Sequence, residues 1–346
     1  MTATALSLVD SARPARAVIP ARHWRWTQPA LVIVAGVLML GVVRPAVFDL
    51  RVFTLVVIYA LAAVGLNVLV GFTGVVSIAN AMFLAVGGYA WARLADAYGP
   101  GIALVSGLVI AVVLALVLGL LLLRLEAYYF AVATLAVGSF ATVVMRNWTS
   151  VTNSDAGIIG LGYLPVPGLT AVQSVFFLGI ILLAFALYFQ ETLRTSSVGL
   201  ALLSTRFDAP GSQALGIGIA QSRIIAFAFS AATAALGGAL MVQLTGGAFP
   251  DQFSITHSIS LLVIPIIGGR GWRWATIVGA LVVIALPEYF RFLDEYRLVA
   301  YGVLVTLVAL FVPGGARQLV TWMDTAWRRG VSHLRRKTTS TSGAPA

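Results

Sequence analysis

Residues 52–80 read VFTLVVIYALAAVGLNVLVGFTGVVSIAN, and the two ends of this stretch obey different physics. From Val52 to Val70 the run is almost unbroken in its apolarity, close to the roughly 20 residues a helix needs to cross a bilayer core of about 30 Å. The sequel, Gly71-Phe72-Thr73-Gly74-Val75-Val76-Ser77-Ile78-Ala79-Asn80, sets two glycines around a threonine and then adds a serine and an asparagine. Glycines there permit a broken helix whose freed amides can face a polar solute. Small residues and hydroxyls serve equally well to pack membrane helices closely, and spacing alone leaves both readings open.

The remainder of the chain extends this picture. Of 346 residues 60% are hydrophobic and 10% charged, too few polar side chains to clothe a water-soluble globule. Apolar runs near 28–46, 52–70, 75–95, 101–123, 127–146, 171–189, 223–244, 254–270, 274–291 and 297–313 predict an all-α integral membrane protein with about ten transmembrane or re-entrant helices. The third and eighth runs are short or crowded with Gly, Ser, Thr and Asn, so either can be re-entrant or broken.

The net charge of +10 is a topology signal. With the N-terminus in the cytoplasm, Arg44, Arg51, Arg93, Arg146, Arg291 and Arg297 fall at outer ends, and every other basic residue falls inside. This predicts both termini inside. The expected organisation is a cytoplasmic segment 1–29, a membrane domain 30–316 and a basic cytoplasmic tail 317–346 with a disordered end. The apolar stretch from Ala30 to Val47 exceeds the usual 7–15 residues of a signal-peptide core, so it is read as the first span. Two long connections, 147–168 outside and 190–222 inside, are candidate docking surfaces on opposite faces.

Much chemistry is excluded. Cysteine is absent, no G-x-x-x-x-G-K-[ST] loop occurs, and Lys337 in the tail is the only lysine, so no catalytic residue or ATP site is expected within the chain. His23, His257 and His333 lie far apart, so no metal site is expected. Ion-driven carriers need membrane-embedded carboxylates, and only Glu288, beside Arg291, is a candidate well inside a span. An autonomous ion-coupled transporter and a non-transporting scaffold remain as alternatives to a permease driven by a partner.

Two further segments carry signals. Thr245-Gly246-Gly247-Ala248-Phe249-Pro250 leads to Ser258-Ile259, followed ten residues on by Gly268-Gly269; Ser77-Ile78 is followed likewise by Gly87-Gly88, a faint hint of duplication. Ser197 to Phe207 can form a short helix, interrupted by Asp208-Ala209-Pro210-Gly211 before Ala214-Leu215-Gly216-Ile217. It suits either a groove in a soluble partner or the membrane interface.

The stretches GLNVLVGFTGVVSIANAMFLAVGGYAWARL (65–94), YYFAVATLAVG with NWTSVTNSDAGIIGL (within 128–161), VGLALLSTRFDAPGSQALGI (198–217) and RIIAFAFSAATAALGGALMVQLTGGAFPDQFSITHSISLLVIPIIGGRG (223–271) resemble, in order, the permease subunits of branched-chain amino-acid ABC importers. The resemblance covers roughly residues 52–316. It implies a multi-pass protein of the bacterial inner membrane that pairs with a related permease or a second copy of itself, two ATPase subunits that bind the ATP, and an external solute-binding protein. The broken, polar segments are the expected substrate path, through Asn67, Gly71, Thr73, Gly74, Ser77, Asn80, Thr245, Gly246 and Ser258, while the resemblance implies ATPase coupling in 198–217, expected through Arg206, Asp208, Leu215 and Gly216, and binding-protein contact around Trp148 and Asp155. The chain departs from the family at Leu200 and Phe207, where an arginine and an acidic residue are usual, and at Asn80, where a Ser-Leu-Gly-His run is common. Urea, short amides and aromatic acids therefore stand beside branched-chain amino acids as solutes.

Overall fold

The computed structural model describes residues 24–38, 47–122 and 124–289, with Gly302 and Thr306. The segment before Trp24, the tail 317–346 and, those two residues apart, the tenth predicted span lie outside the described residues. The helices are α1 (Trp24–Leu38), α2 (Val47–Val68), α3 (Asn80–Tyr98), α4 (Pro100–Leu122), α5 (Ala127–Asn147), α6 (Thr149–Thr152), α7 (Ala171–Thr195), α8 (Ser197–Phe207), α9 (Ala209–Ala214), α10 (Ile219–Thr245), α11 (Ile255–Gly268), α12 (Ala275–Ala280) and α13 (Leu286–Tyr289). Wider π-helical turns extend α2 over Leu69–Thr73 and join α12 to α13 over Leu281–Ala285. Residues 49–73, α4, α5, α7, α10 and 250–268 are each long and apolar enough to cross a membrane. The fold is an all-α membrane bundle.

α2 and α10 form its centre. The most apolar window of α2 is 89% buried, whereas the corresponding window of α4 is 22% buried. A helix enclosed by others can be apolar all round; one facing lipid needs only a narrow contact stripe. In α4 that stripe is Ala103, Gly107, Ala111, Ala115 and Gly119, every fourth residue and every one buried, while Ile102, Val105, Val109 and Leu120 face outward. Small residues at this spacing let the backbone approach α3 and α10.

α10 packs antiparallel to α2, with Gly65 against Ser230 and Gly237 against Ile58, and parallel to α3, with Asn80 against Ser230 and Gly88 against Val242. At Gly87 and Gly238 a Cβ would collide with the facing backbone carbonyl. Gly238→Ala is therefore expected to cost about 1–3 kcal/mol, the usual penalty of overpacking. Thermal unfolding in detergent checks this, with Gly101→Ala, whose Cβ meets nothing, as the neutral control. The glycine pairs of the two echoed segments differ in role: Gly87 and Gly88 sit inside α3 against α10, whereas Gly268 ends α11 against Ala275.

α7 begins with a capping box, in which Thr170 and Gln173 satisfy each other's backbone, and runs to Thr195, beyond the predicted end of its span. Gln190 and Glu191, expected to open the inner loop, are consequently buried in the last turns of this helix. Glu191 is 2% exposed, with Arg194 3.6 Å away, whereas Glu288 is half-buried. The enclosed carboxylate among the described residues is thus Glu191 instead of Glu288, and it lies at the end of a helix, far from its middle.

Candidate functional site

The second span does break where the glycines stand. α2 widens into the π-helical turn Leu69–Thr73, and Gly74, at φ 74°, supplies the left-handed conformation that reverses the chain. Val75 to Ala79 then run without regular structure back into the bundle, and α3 starts at Asn80. Asn80 is hydrogen-bonded to Ser230, more than ten residues into the 27-residue α10, so α3 begins well inside the bundle.

Side chains from four elements satisfy this buried helix start. The Ile78 N–H donates to Thr134 Oγ1 of α5 at 3.1 Å, the Ala79 N–H to Ser77 Oγ at 3.3 Å, and the Ala81 N–H to Ser258 Oγ of α11 at 2.8 Å. Asn80 Nδ2 donates to Ser230 Oγ of α10 at 3.0 Å. Ser77, Asn80, Thr134, Ser230 and Ser258 are all at most 1% exposed. The helix N-terminus adds a partial positive charge to this hydroxyl cluster, an arrangement suited to the polar head of a small solute. Ser77, Asn80 and Ser258 were expected from the sequence. Thr134 and Ser230 were not; the only signal was a hydroxyl deep in an apolar helix, and Tyr59 with His257, whose Oη and Nδ1 are 2.6 Å apart, had no sequence signal at all.

The other expected path residues gather elsewhere. Asn67 and Gly71 meet the loop between α11 and α12: Asn67 accepts from the Gly271 N–H at 2.8 Å and donates to the Trp272 carbonyl at 3.0 Å, while Gly71 packs directly on Gly271. Thr73 donates to the Leu69 carbonyl of its own turn at 2.6 Å. At the opposite end, Thr245 donates to the Met241 carbonyl, and the Gly246 carbonyl accepts from the N–H groups of Gly160 and Leu161.

Arg206 also reaches the first of these junctions. From the last turn of α8 its guanidinium donates to the Gly71 carbonyl, and its stem lies against Gly74. Burial, and secondarily the charge of Arg270, lower its pKa. The expected interruption is an ordered joint: Asp208 ends α8 and caps α9, its Oδ1 accepting from the Gly211 N–H at 2.9 Å, with Pro210 in the first turn of α9. Leu215 caps α9 and Gly216 follows at φ 79°. Leu200, Phe207 and Leu215 are strongly exposed.

The outer connection is pinned. Its β1 (Ile158–Ile159) pairs antiparallel with β2 (Gly247–Ala248), Trp91 donates to the Gly162 carbonyl, and Gln243 accepts from the Leu164 N–H. Arg146 holds Asp251 at 2.6 Å and Asp155 at 3.8 Å, and Trp148 and Asp155 both face outward. Beneath it lies an apolar cavity of about 580 Å³ between α3, α4 and α5. It runs from Met82 and Ala85, one turn beyond Asn80, past Tyr89 to Arg93 and Trp148. Among the described residues no group of three or more His, Asp or Glu could hold a metal.

Long helices joined through small residues, one span broken around buried hydroxyls and an apolar cavity along α3 define a multi-pass helical membrane permease. The particular kind follows from residues 50–312, which match the family described as branched-chain amino acid transport system permease component, and the chain belongs to that family. It is a transport component and not itself a catalyst. The chain is 28% identical over 333 residues to the Escherichia coli high-affinity branched-chain amino acid transport system permease protein LivM, covering 86% of this chain and 77% of that one. To the Salmonella typhimurium protein of the same name it is 28% identical over 293 residues, covering 76% and 68%. No solved structure matches the chain.

Proposed function

We propose that this chain is the transmembrane subunit of an ABC importer, moving a branched-chain amino acid or a similar small organic solute inward on ATP hydrolysed by partner subunits. The observation that carries the reading is the break between α2 and α3, whose buried hydroxyls gather around Asn80, beside an apolar cavity of about 580 Å³ that lies along α3 from Met82 to Arg93. The cavity's walls suit a branched apolar side chain, and the buried hydroxyls at the start of α3 suit a polar head. The similarity to LivM of two bacteria supports the solute class and an inner-membrane location.

In this reading both termini are cytoplasmic, Trp148 and Asp155 meet an external binding protein, and the α8–α9 segment meets the ATPase. A related permease, or a second copy of this chain, walls the open side of the cavity between α4 and α5. The chain has no cofactor of its own; ATP is bound by the partners. Access to Asn80 would alternate between the two faces as the break between α2 and α3 shifts.

Reconstitution tests the assignment. Proteoliposomes holding the full complex should accumulate solute only with internal binding-site access to ATP, and liposomes holding this chain alone should not accumulate it on any ion gradient. Gradient-driven uptake by the chain alone would establish the autonomous carrier instead, with the enclosed Glu191 as its ion site.

The solute's charge has its own test. Among the described residues Arg93 is the one charged side chain lining the cavity, at its outer mouth, with Nε donating to the Val151 carbonyl at 2.8 Å. Arg93→Leu is expected to raise KM for a carboxylate-bearing solute about tenfold, about 1.4 kcal/mol, by removing a charge-assisted contact. Uptake of a neutral amide, if the complex accepts one, should not change. An unaltered KM for the amino acid would place carboxylate recognition elsewhere.

A further inference from the structure

Arg206 was expected to face a soluble partner, yet its side chain turns the other way. From the last turn of α8 it crosses Gly74 and donates to the Gly71 carbonyl, while the next residue, Phe207, is 81% exposed. The carbonyl it holds belongs to the π-helical turn Leu69–Thr73, where the wider winding displaces backbone groups from regular helical pairing. We propose that Arg206 is a positioning residue for transport, a strut that carries movement of the α8–α9 segment to the break between α2 and α3. This rests on the reading of the chain as an ATP-driven permease.

The geometry gives the strut a continuous route. Its anchor is firm, because Gly71 packs on Gly271 and Asn67 clamps Gly271 and Trp272 one turn earlier. Its output is short. Three residues of irregular chain, Val75 to Ser77, join Gly74 to Ile78, four steps spanning at most about 13 Å at ~3.3 Å per step, and Ile78, Ala79 and Ala81 carry the N–H groups held by Thr134, Ser77 and Ser258. A shift of α8 relative to the bundle must therefore drag the Gly71 carbonyl, release it, or bend the reversal at Gly74. Each of these changes the start of α3, where the solute's polar head would sit. An arginine can serve because its several fixed donors stay protonated even where burial and Arg270 lower its pKa.

The test compares uptake with ATP hydrolysis in the same proteoliposomes, using the full complex with its binding protein and leucine as the probe solute. Arg206→Gln should keep the ATPase subunits bound and hydrolysing, while leucine taken up per ATP falls about tenfold, within the usual range of coupling between linked sites. Arg206→Lys should recover part of the loss, since an ammonium can still donate to one carbonyl. Gly71→Ala is the independent variant: its Cβ would collide with Gly271, disturbing the anchor without altering any exposed residue of α8 or α9. It should uncouple in the same way, and it decides the matter if Arg206→Gln fails to fold. The strut is overturned by unchanged leucine uptake per ATP in Arg206→Gln, or in Gly71→Ala where only that variant folds. It is equally overturned if Arg206→Gln strips the ATPase from the complex, which would make Arg206 a docking residue. A wild-type complex that hydrolyses ATP without moving any solute would overturn the permease reading, and the strut with it.

Discussion

Asn80→Leu should lower solute uptake by about one to two orders of magnitude while leaving the amount of folded protein near wild type, because a polar partner lost from a closed site is worth about 1–3 kcal/mol. Two features of the site separate these effects. Leucine fills nearly the same volume, and Ser230, deprived of Asn80, can turn its hydroxyl back to a carbonyl of its own helix, as Thr142 and Ser139 already do on α5. The fold therefore keeps its packing and strands few polar groups. A solute entering from Met82 would instead meet an apolar wall where the amide had stood. Uptake in proteoliposomes and yield by size-exclusion chromatography measure the two effects. Thr134→Val should behave similarly, and Ser139→Ala, which lies outside the cluster, should be silent. Normal transport by Asn80→Leu would remove the start of α3 from the path.

The contrast between Thr134 and Thr142 shows where sequence reading stops. Both are isolated hydroxyls on the same apolar helix, and both donate to a carbonyl of their own chain. What distinguishes Thr134 is that Ile78, 56 positions away in sequence, also places its N–H there. No local pattern encodes that meeting. The spans themselves were legible because a bilayer imposes a length and an apolar composition, whereas Gly71-Phe72-Thr73-Gly74 marked a departure from that rule that fitted a broken helix and close packing equally. Ends of helices were not. α7 continues through Gln190 and Glu191 because packing against α2 and α8, and not composition, sets its end, so the enclosed carboxylate went to the wrong residue. For Arg206 the charge was legible but the direction was not, since an arginine on a short helix can reach either inward or outward.

The inward turn of Arg206 has a consequence for assembly. It leaves Leu200, Phe207 and Leu215, 61%, 81% and 82% exposed, as the large side chains that α8, α9 and their cap present outward. Where the family usually offers an arginine and an acid, this chain offers Leu200 and Phe207, so its contact with an ATPase would depend on buried apolar area instead of paired charge. Interfaces of that kind concentrate their free energy in a few large residues at the centre. Leu215 follows the Asp208-capped α9 and precedes Gly216, whose φ of 79° turns the chain away and leaves the leucine at a tip. Leu215→Asp is expected to release the ATPase subunits from the purified complex, weakening the contact by about 2–4 kcal/mol, some 30- to 1,000-fold in affinity. Because the side chain touches little of its own protein, the isolated permease should fold unchanged. Co-purification at several salt concentrations reads the outcome. An apolar contact should survive high salt in the wild type, whereas an ionic one should fade as screening shortens its range. Were Leu215→Asp to keep its ATPase, the exposed trio would belong to the lipid headgroup zone, and docking would fall to the polar atoms of Asp208 and its neighbours.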